Sequence, residues 1–295
     1  MTEPDLRLRA VVPAPLKVTY EALTDPAALR VWLAEHADVD LPGKYEFWGR
    51  FTPDGAEPHQ RVLYVDERTI RLAWTVDGVE TTAQLEVDED EDGTLVTLSQ
   101  SDLPSFEDVI ADKAGARGAL HTFWSLAICN LADYLAGREL TPKVDFTSSE
   151  LRASVVIDAA PDEVFDSMIQ PAVFRKWFGA NVDIEPYVGG RFAMGGFETD
   201  PGGAKFVEFE PGRKASLLFA DNETTSWELD GSDGKTRLTI MHSGFDPANP
   251  PYPAWAGWLG GIAGLRRYHE LPAQRGIWRQ VEIAGVPAGM YTTDE

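Results

Sequence analysis

Two stretches of this chain nearly duplicate each other: "DPAALRVWLA" (Asp25–Ala34) and "QPAVFRKWFG" (Gln170–Gly179), 145 residues apart. Pro26/Pro171, Ala27/Ala172, Arg30/Arg175 and Trp32/Trp177 recur at the same offsets. If the flanks repeat in order as well, one folding unit has been used twice. They do. Each half opens on a strand-like segment, "LRLRAVV" and "LRASVVI", followed by "APLKVTYEAL" and "APDEVFDSMI". In both, a proline stands at the expected first helical position, where its missing N–H costs nothing. The quoted stretches then give a second short helix in each half, begun by Pro26 or Pro171.

The remaining elements follow the same plan. "VDLPGKYEFWG" faces "IEPYVGGRFAMGG", with glycine where the chain must turn sharply. "GVETTAQLEVDEDEDGTLVTLSQSDL" parallels "DNETTSWELDGSDGKTRLTIMHSGF": two alternating runs joined by an acidic turn containing glycine. "HTFWSLAICNLADYL" parallels "WAGWLGGIAGLRRYH", and Phe123, Trp124, Ala127, Ile128, Leu131 and Leu135 form an apolar helical stripe. The connection "PSFEDVIADKAGAR" before the first of these helices is long enough for a short helix of its own. Strands joined by tight turns make an antiparallel meander, and a sheet with one apolar face needs the terminal helix as its cover. The expectation is an α+β chain of two tandem domains, residues 1–143 and 144–295, joined through the polar "ELTPKVDFTSSE". "WRQVEI", in the C-terminal tail, has no counterpart in the first half. It reads equally as an added strand or a loosely held tail.

Composition narrows the function classes. Twenty-six Lys and Arg stand against 48 Asp and Glu, a net charge of −22. Such a surface repels nucleic acid and anionic membrane, so neither is expected as a partner. No apolar run reaches the ~18–20 residues of a spanning helix, and no secretory signal opens the sequence. The one cysteine, Cys129, cannot form an internal disulfide, and a cytoplasmic setting is expected. The run Asp88–Asp92 lacks the ligand spacing of a calcium loop. No zinc cluster, HExxH, GxSxG elbow or phosphate-cradling loop is present. Neither metal, cofactor nor catalytic constellation is therefore expected.

With this order of elements, "PxxxRxW", "GGRF" and "LTIMHSGF…GW…L" make the second half resemble the SRPBCC (START-like) superfamily. More narrowly, it resembles the branch named after the activator of the heat-shock-protein-90 ATPase, and the first half resembles a diverged copy. The resemblance implies tandem helix-grip domains. In each, a curved antiparallel sheet wraps a long C-terminal helix, two short helices follow strand 1, and an apolar cavity lies between sheet and helix. Many members hold hydrophobic small molecules there, and some cyclise or aromatise polyketides.

Within that frame, nine tryptophans are shared between the halves. Trp74 and Trp124 in the first, and Trp177, Trp227 and Trp258 in the second, are candidates to line a cavity, with Met194 and Phe219; each serves as well as core. Alternation puts Leu238, Ile240 and His242 on one strand face, so an inward Leu238 carries His242 inward too. Gln100 is its counterpart after Val96 and Leu98. His121 shares a helix face with Trp124. A neutral histidine with one structural hydrogen bond explains either imidazole equally well. Arg191 reaches inward to orient a carboxylate or phenolate, or lies solvated at the strand end. The expected function is non-catalytic binding of a hydrophobic or aromatic small molecule, with any active cavity in the second half. The alternatives are a polyketide cyclase/aromatase-like enzyme and a co-chaperone-like interaction scaffold, its protein partner unknown.

Overall fold

The computed structural model describes residues 5–110, 115–200, 202–271 and 276–286. The first half runs β1 (Leu6–Val12), α1 (Leu16–Thr24), α2 (Pro26–Trp32), β2 (His36–Asp40), β3 (Lys44–Trp48), β4 (Gln60–Val65), β5 (Thr69–Val76), β6 (Val79–Asp90), β7 (Gly93–Ser101), α3 (Phe106–Ile110), a 3-10 turn and α4 (Leu120–Leu135). The second runs β8 (Leu151–Ile157), α5 (Pro161–Ile169), α6 (Pro171–Phe178), β9 (Val182–Ile184), β10 (Arg191–Met194), β11 (Ala204–Glu210), β12 (Lys214–Leu218), β13 (Thr224–Ser232), β14 (Lys235–Ser243) and α7 (Tyr252–Glu270). Apart from α3 and the 3-10 turn, which the second half lacks among the described residues, the halves match element for element. Each is an antiparallel sheet closed over its terminal helix, the tandem helix-grip architecture.

Local chemistry explains the short helices. Pro26 begins α2, and Asp25 caps it by accepting a hydrogen bond from the Ala27 N–H at 2.9 Å. In α1, Pro15 stands one place earlier than expected, as the cap residue. Trp32 donates its indole N–H to the Ala22 carbonyl at 3.0 Å, and Trp177 does the same to Ser167 at 2.8 Å. The repeated tryptophan therefore fastens the second short helix to the first. Gly179, in the left-handed region at φ 76°, ends α6.

The sheets differ at two edges. The second is one seven-stranded sheet, β8-β14-β13-β12-β11-β10-β9, whereas in the first half β2 and β3 form a separate pair. There the Gln60 side chain, not the β4 backbone, bonds the Phe47 N–H. The second difference involves the tail: "WRQVEI" is a strand, β15 (Trp278–Ile283), and it joins the sheet of the other half. It pairs antiparallel to β1 from Leu6↔Ile283 to Ala10↔Trp278. β15, which follows α7 in the chain, thus completes the β1 edge of the first half's sheet.

The two grip helices lie against each other. α4 is buried on nearly every side, its polar residues His121, Asn130 and Asp133 included. Trp124, Ile128 and Leu131 enter the first core while Leu126 enters the second. At the seam Asp133, almost fully buried, accepts from Arg267 at 2.9 Å and from Arg138 at 3.2 Å; Arg138 also meets Glu270 at 2.6 Å. Gly264 of α7 lets the chain at Trp177 approach, since a Cβ there would lie 2.1 Å from the Trp177 carbonyl oxygen. The connecting segment is pinned rather than loose. Lys143 donates to three carbonyls at the end of α2, and Asn130 bonds both the N–H and the carbonyl of Thr141. Val144, the next residue after Lys143, is already in the second core.

Candidate functional site

Strand register identifies equivalent positions in the two interiors. Gln100 pairs with Leu6 of β1, and His242 pairs with Leu151 of β8, so Gln100 and His242 occupy the same place. On the adjacent strand Ala83 faces Gln100 and Thr225 faces His242. Two residues before these stand Thr81 and Glu223; two residues after, Leu85 and Trp227. One strand further, Leu72 pairs with Ala83 and Leu217 with Thr225, which makes Trp74 and Phe219 equivalent.

In the first half these groups satisfy one another. The Trp124 indole N–H donates to Gln100 Oε1 at 2.6 Å, Gln100 Nε2 donates to Thr81 Oγ1 at 2.9 Å, and Thr81 donates to the Trp74 carbonyl at 2.8 Å. Trp74 and Trp124 are each 1% exposed and Gln100 is 0% exposed. The rings of Phe47, Trp74, Phe123 and Trp124 meet edge to face with centroids 5.0–6.2 Å apart, a favourable aromatic geometry. Trp74, Gln100 and Trp124 were expected to line a cavity; they form a closed core. His121 is buried but lies outside this relay, its Nε2 3.4 Å from the Pro104 carbonyl.

The second half keeps the positions and changes the chemistry. His242 Nε2 lies 2.8 Å from Glu223 Oε2. Burial pushes the imidazole pKa down to about 4 against the pull of Asp221, so the ring is neutral at pH 7. A neutral ring facing a carboxylate carries its proton on Nε2, which leaves the Nδ1 lone pair as an acceptor. Nδ1 has no partner among the described residues, nor has Thr225 Oγ1 or Trp227 Nε1. His242 is 6%, Thr225 0% and Trp227 1% exposed. Three buried polar atoms without partners, on one face of two paired strands, are costly unless something meets them.

Apolar groups surround this patch. Phe219, half-buried, lies nearly parallel to the His242 ring at 6.5 Å, and Phe245 meets that ring edge-on at 5.8 Å. Deeper, Trp227 contacts Trp258 at 5.2 Å and Phe192 at 6.3 Å. Met194 packs half-buried on the same core. Arg191 does not join them. Its guanidinium forms a two-point pair with Glu185, at 3.1 and 3.0 Å, and covers the Phe197 ring, so the inward orientation is corrected to a strand-end ion pair. Trp177 acts as the helix fastener described above and also borders the seam. There a cavity of about 130 Å³ opens between Thr122, Ser125 and Cys129 of α4 and the glycines of α7, bordered also by Trp278 and Val281 of β15.

Glu223, Thr225 and Phe245 were not singled out from the sequence. The shared "ETT" of the two halves aligns Thr82 with Thr225, one residue away from the pairing the sheets adopt. Glu223 stands two residues before Thr225, the residue opposite His242, so their contact is a diagonal one that follows from the hairpin register.

The family profile of "Activator of Hsp90 ATPase homolog 1-like protein" matches residues 13–136 and again 158–270. The chain belongs to this family, in two tandem copies. Among solved structures it is similar to DynU16, from the dynemicin biosynthetic locus, at 16% identity over 92% of this chain and 100% of that one, with a TM-score of 0.38. CalU16 from Micromonospora echinospora is 21% identical over 48% of this chain and 78% of its own, TM-score 0.36. The Aha1 dimer from Colwellia psychrerythraea is 16% identical over 43% of this chain and 98% of its own, TM-score 0.37. No curated protein matches the chain. No helix among the described residues is long and apolar enough to cross a membrane.

Proposed function

We propose that this protein binds one apolar, aromatic small molecule in the interior of its second half, and that the first half is a closed structural copy. One observation carries the reading: Gln100, bonded through both ends of its amide in the first half, gives way to His242, whose Nδ1 has no partner among the described residues, and beside it Thr225 and Trp227 bring two more unmet polar atoms where the first half has Ala83 and Leu85. Phe219, half-buried where the first half has the fully buried Trp74, marks the entrance. Binding pockets combine apolar walls with a few placed polar groups, the composition found here.

The reading predicts stoichiometry. Titration with 2-naphthol, followed by quenching of tryptophan fluorescence, saturates at one molecule per chain, and native mass spectrometry shows the same 1:1 complex. Two equivalent molecules per chain, or no saturable quenching, contradict it. The contact of His242 with Glu223 also favours a second reading, proton transfer of the cyclase kind, because a carboxylate-oriented imidazole with a free nitrogen is the arrangement of a general base. That reading requires Nδ1 to come within about 3 Å of a substrate proton. The acidic surface and family name alone do not favour a co-chaperone scaffold.

A further inference from the structure

Granting that the second half holds a small molecule, the three unmet atoms specify its chemistry. His242 Nδ1 is an acceptor only, so it calls for a hydroxyl donor. Trp227 Nε1–H is a donor only, so it calls for an acceptor oxygen. Thr225, opposite His242 in the register, offers a hydroxyl that serves either way. Trp227 stands two residues along β13 from Thr225, about 7 Å at the rise of a strand. Aromatic rings flank both ends of this line: Phe219 and Phe245 at His242, Trp258 and Phe192 at Trp227.

We infer that the ligand is a flat fused-ring compound bearing a phenolic or enolic hydroxyl at one end and a carbonyl oxygen at the other. The hydroxyl donates to His242 Nδ1, and the carbonyl accepts from Trp227 Nε1–H. The Glu223 carboxylate fixes the tautomer and orientation of His242 and is a positioning residue. The first half cannot select such a compound, because Gln100 and Trp124 already bond each other. A simple aliphatic ligand would leave all three polar atoms unmet and is disfavoured for that reason.

The test compares four probes by calorimetry or fluorescence titration: 6-acetyl-2-naphthol, its O-methyl ether, 2-naphthol and naphthalene. The ether has lost the donor, 2-naphthol the carbonyl, and naphthalene both. The full compound is expected to bind about tenfold more tightly than either partial one, with naphthalene weakest, since one net hydrogen bond corresponds to about that ratio. Trp227→Phe keeps a ring and removes the N–H, and it should erase the advantage of 6-acetyl-2-naphthol over 2-naphthol. Thr225→Val removes a hydroxyl that is unmet without ligand. It should leave the free protein at least as stable by denaturation while weakening 6-acetyl-2-naphthol several-fold, a split that a merely structural hydroxyl would not give. Equal 1:1 binding of all four probes would overturn this inference and leave the interior site standing. Binding insensitive to both substitutions would overturn it as well. Failure of every probe to bind saturably would overturn the site itself.

Discussion

Asp133→Ala is expected to lower stability by about 3–5 kcal/mol, the cost of removing one partner from a buried ion pair. For a chain of this size that corresponds to a fall in Tm of roughly 5–8 °C. Asp133 and Arg267 are 2% and 5% exposed and 2.9 Å apart, and Arg267 also donates to the Cys129 carbonyl at 2.5 Å. Without the carboxylate, a guanidinium stays desolvated between α4 and α7 with one carbonyl for company. Arg138 loses its 3.2 Å contact at the same time. The loss falls on the seam, so the halves should loosen from each other before either core melts. Replacing both partners with apolar residues, Asp133→Leu with Arg267→Met, should recover most of the loss. Urea denaturation of the three proteins measures this. A cost under about 1 kcal/mol for Asp133→Ala would mean that the seam is hydrated and the charge network contributes little.

The second large effect concerns β15. A chain ending at residue 275 would expose the whole outer edge of β1, together with the half-buried Ile277, Trp278, Val281 and Ile283 sites on the first core. Losing those contacts should cost several kcal/mol, at roughly 1 kcal/mol for each half-buried apolar side chain. The bared edge is a template for pairing with another chain. The truncated protein should therefore unfold at lower denaturant and self-associate as its concentration rises, by sedimentation velocity. A monomer with an unchanged midpoint would show that β15 adds nothing to the first sheet. The seam cavity beside Trp278 and Val281 would also open on truncation, exposing Cys129 to thiol reagents.

Much of this architecture could be read from the sequence because the repeat preserved the residues that fix geometry. Proline begins α2, α5 and α6, tryptophan fastens the second short helix to the first, and alternation marks the long hairpins. The equivalence of Gln100 and His242 was legible because both follow two buried positions of the same strand. What stayed hidden depends on partners rather than on local pattern. Alternation in "WRQVEI" signals a strand but not which sheet edge it meets, and the edge it meets lies in the other half. The contact of Glu223 with His242 rests on the register of the β13–β14 hairpin, which alternation alone does not give. Arg191 carries the same letters whether it points in or out, and Glu185, six residues earlier, decides the matter by holding it at the strand end. Nor does sequence reveal whether a buried polar group is met. The polar residues Gln100 and His242 occupy one position, and only the neighbouring hydrogen bonds separate a saturated amide from an imidazole with an unmet nitrogen.

That separation is open to direct observation in the indole N–H region of a proton–nitrogen NMR spectrum, with the tryptophan signals assigned by single Trp→Phe substitutions. On addition of saturating 6-acetyl-2-naphthol, the Trp227 signal should shift, as its donor gains an acceptor, while the Trp124 signal, already bonded to Gln100, stays in place. A shifting Trp124 signal, or a Trp227 signal unmoved by a compound that binds, would contradict the assignment of the ligand to the second interior.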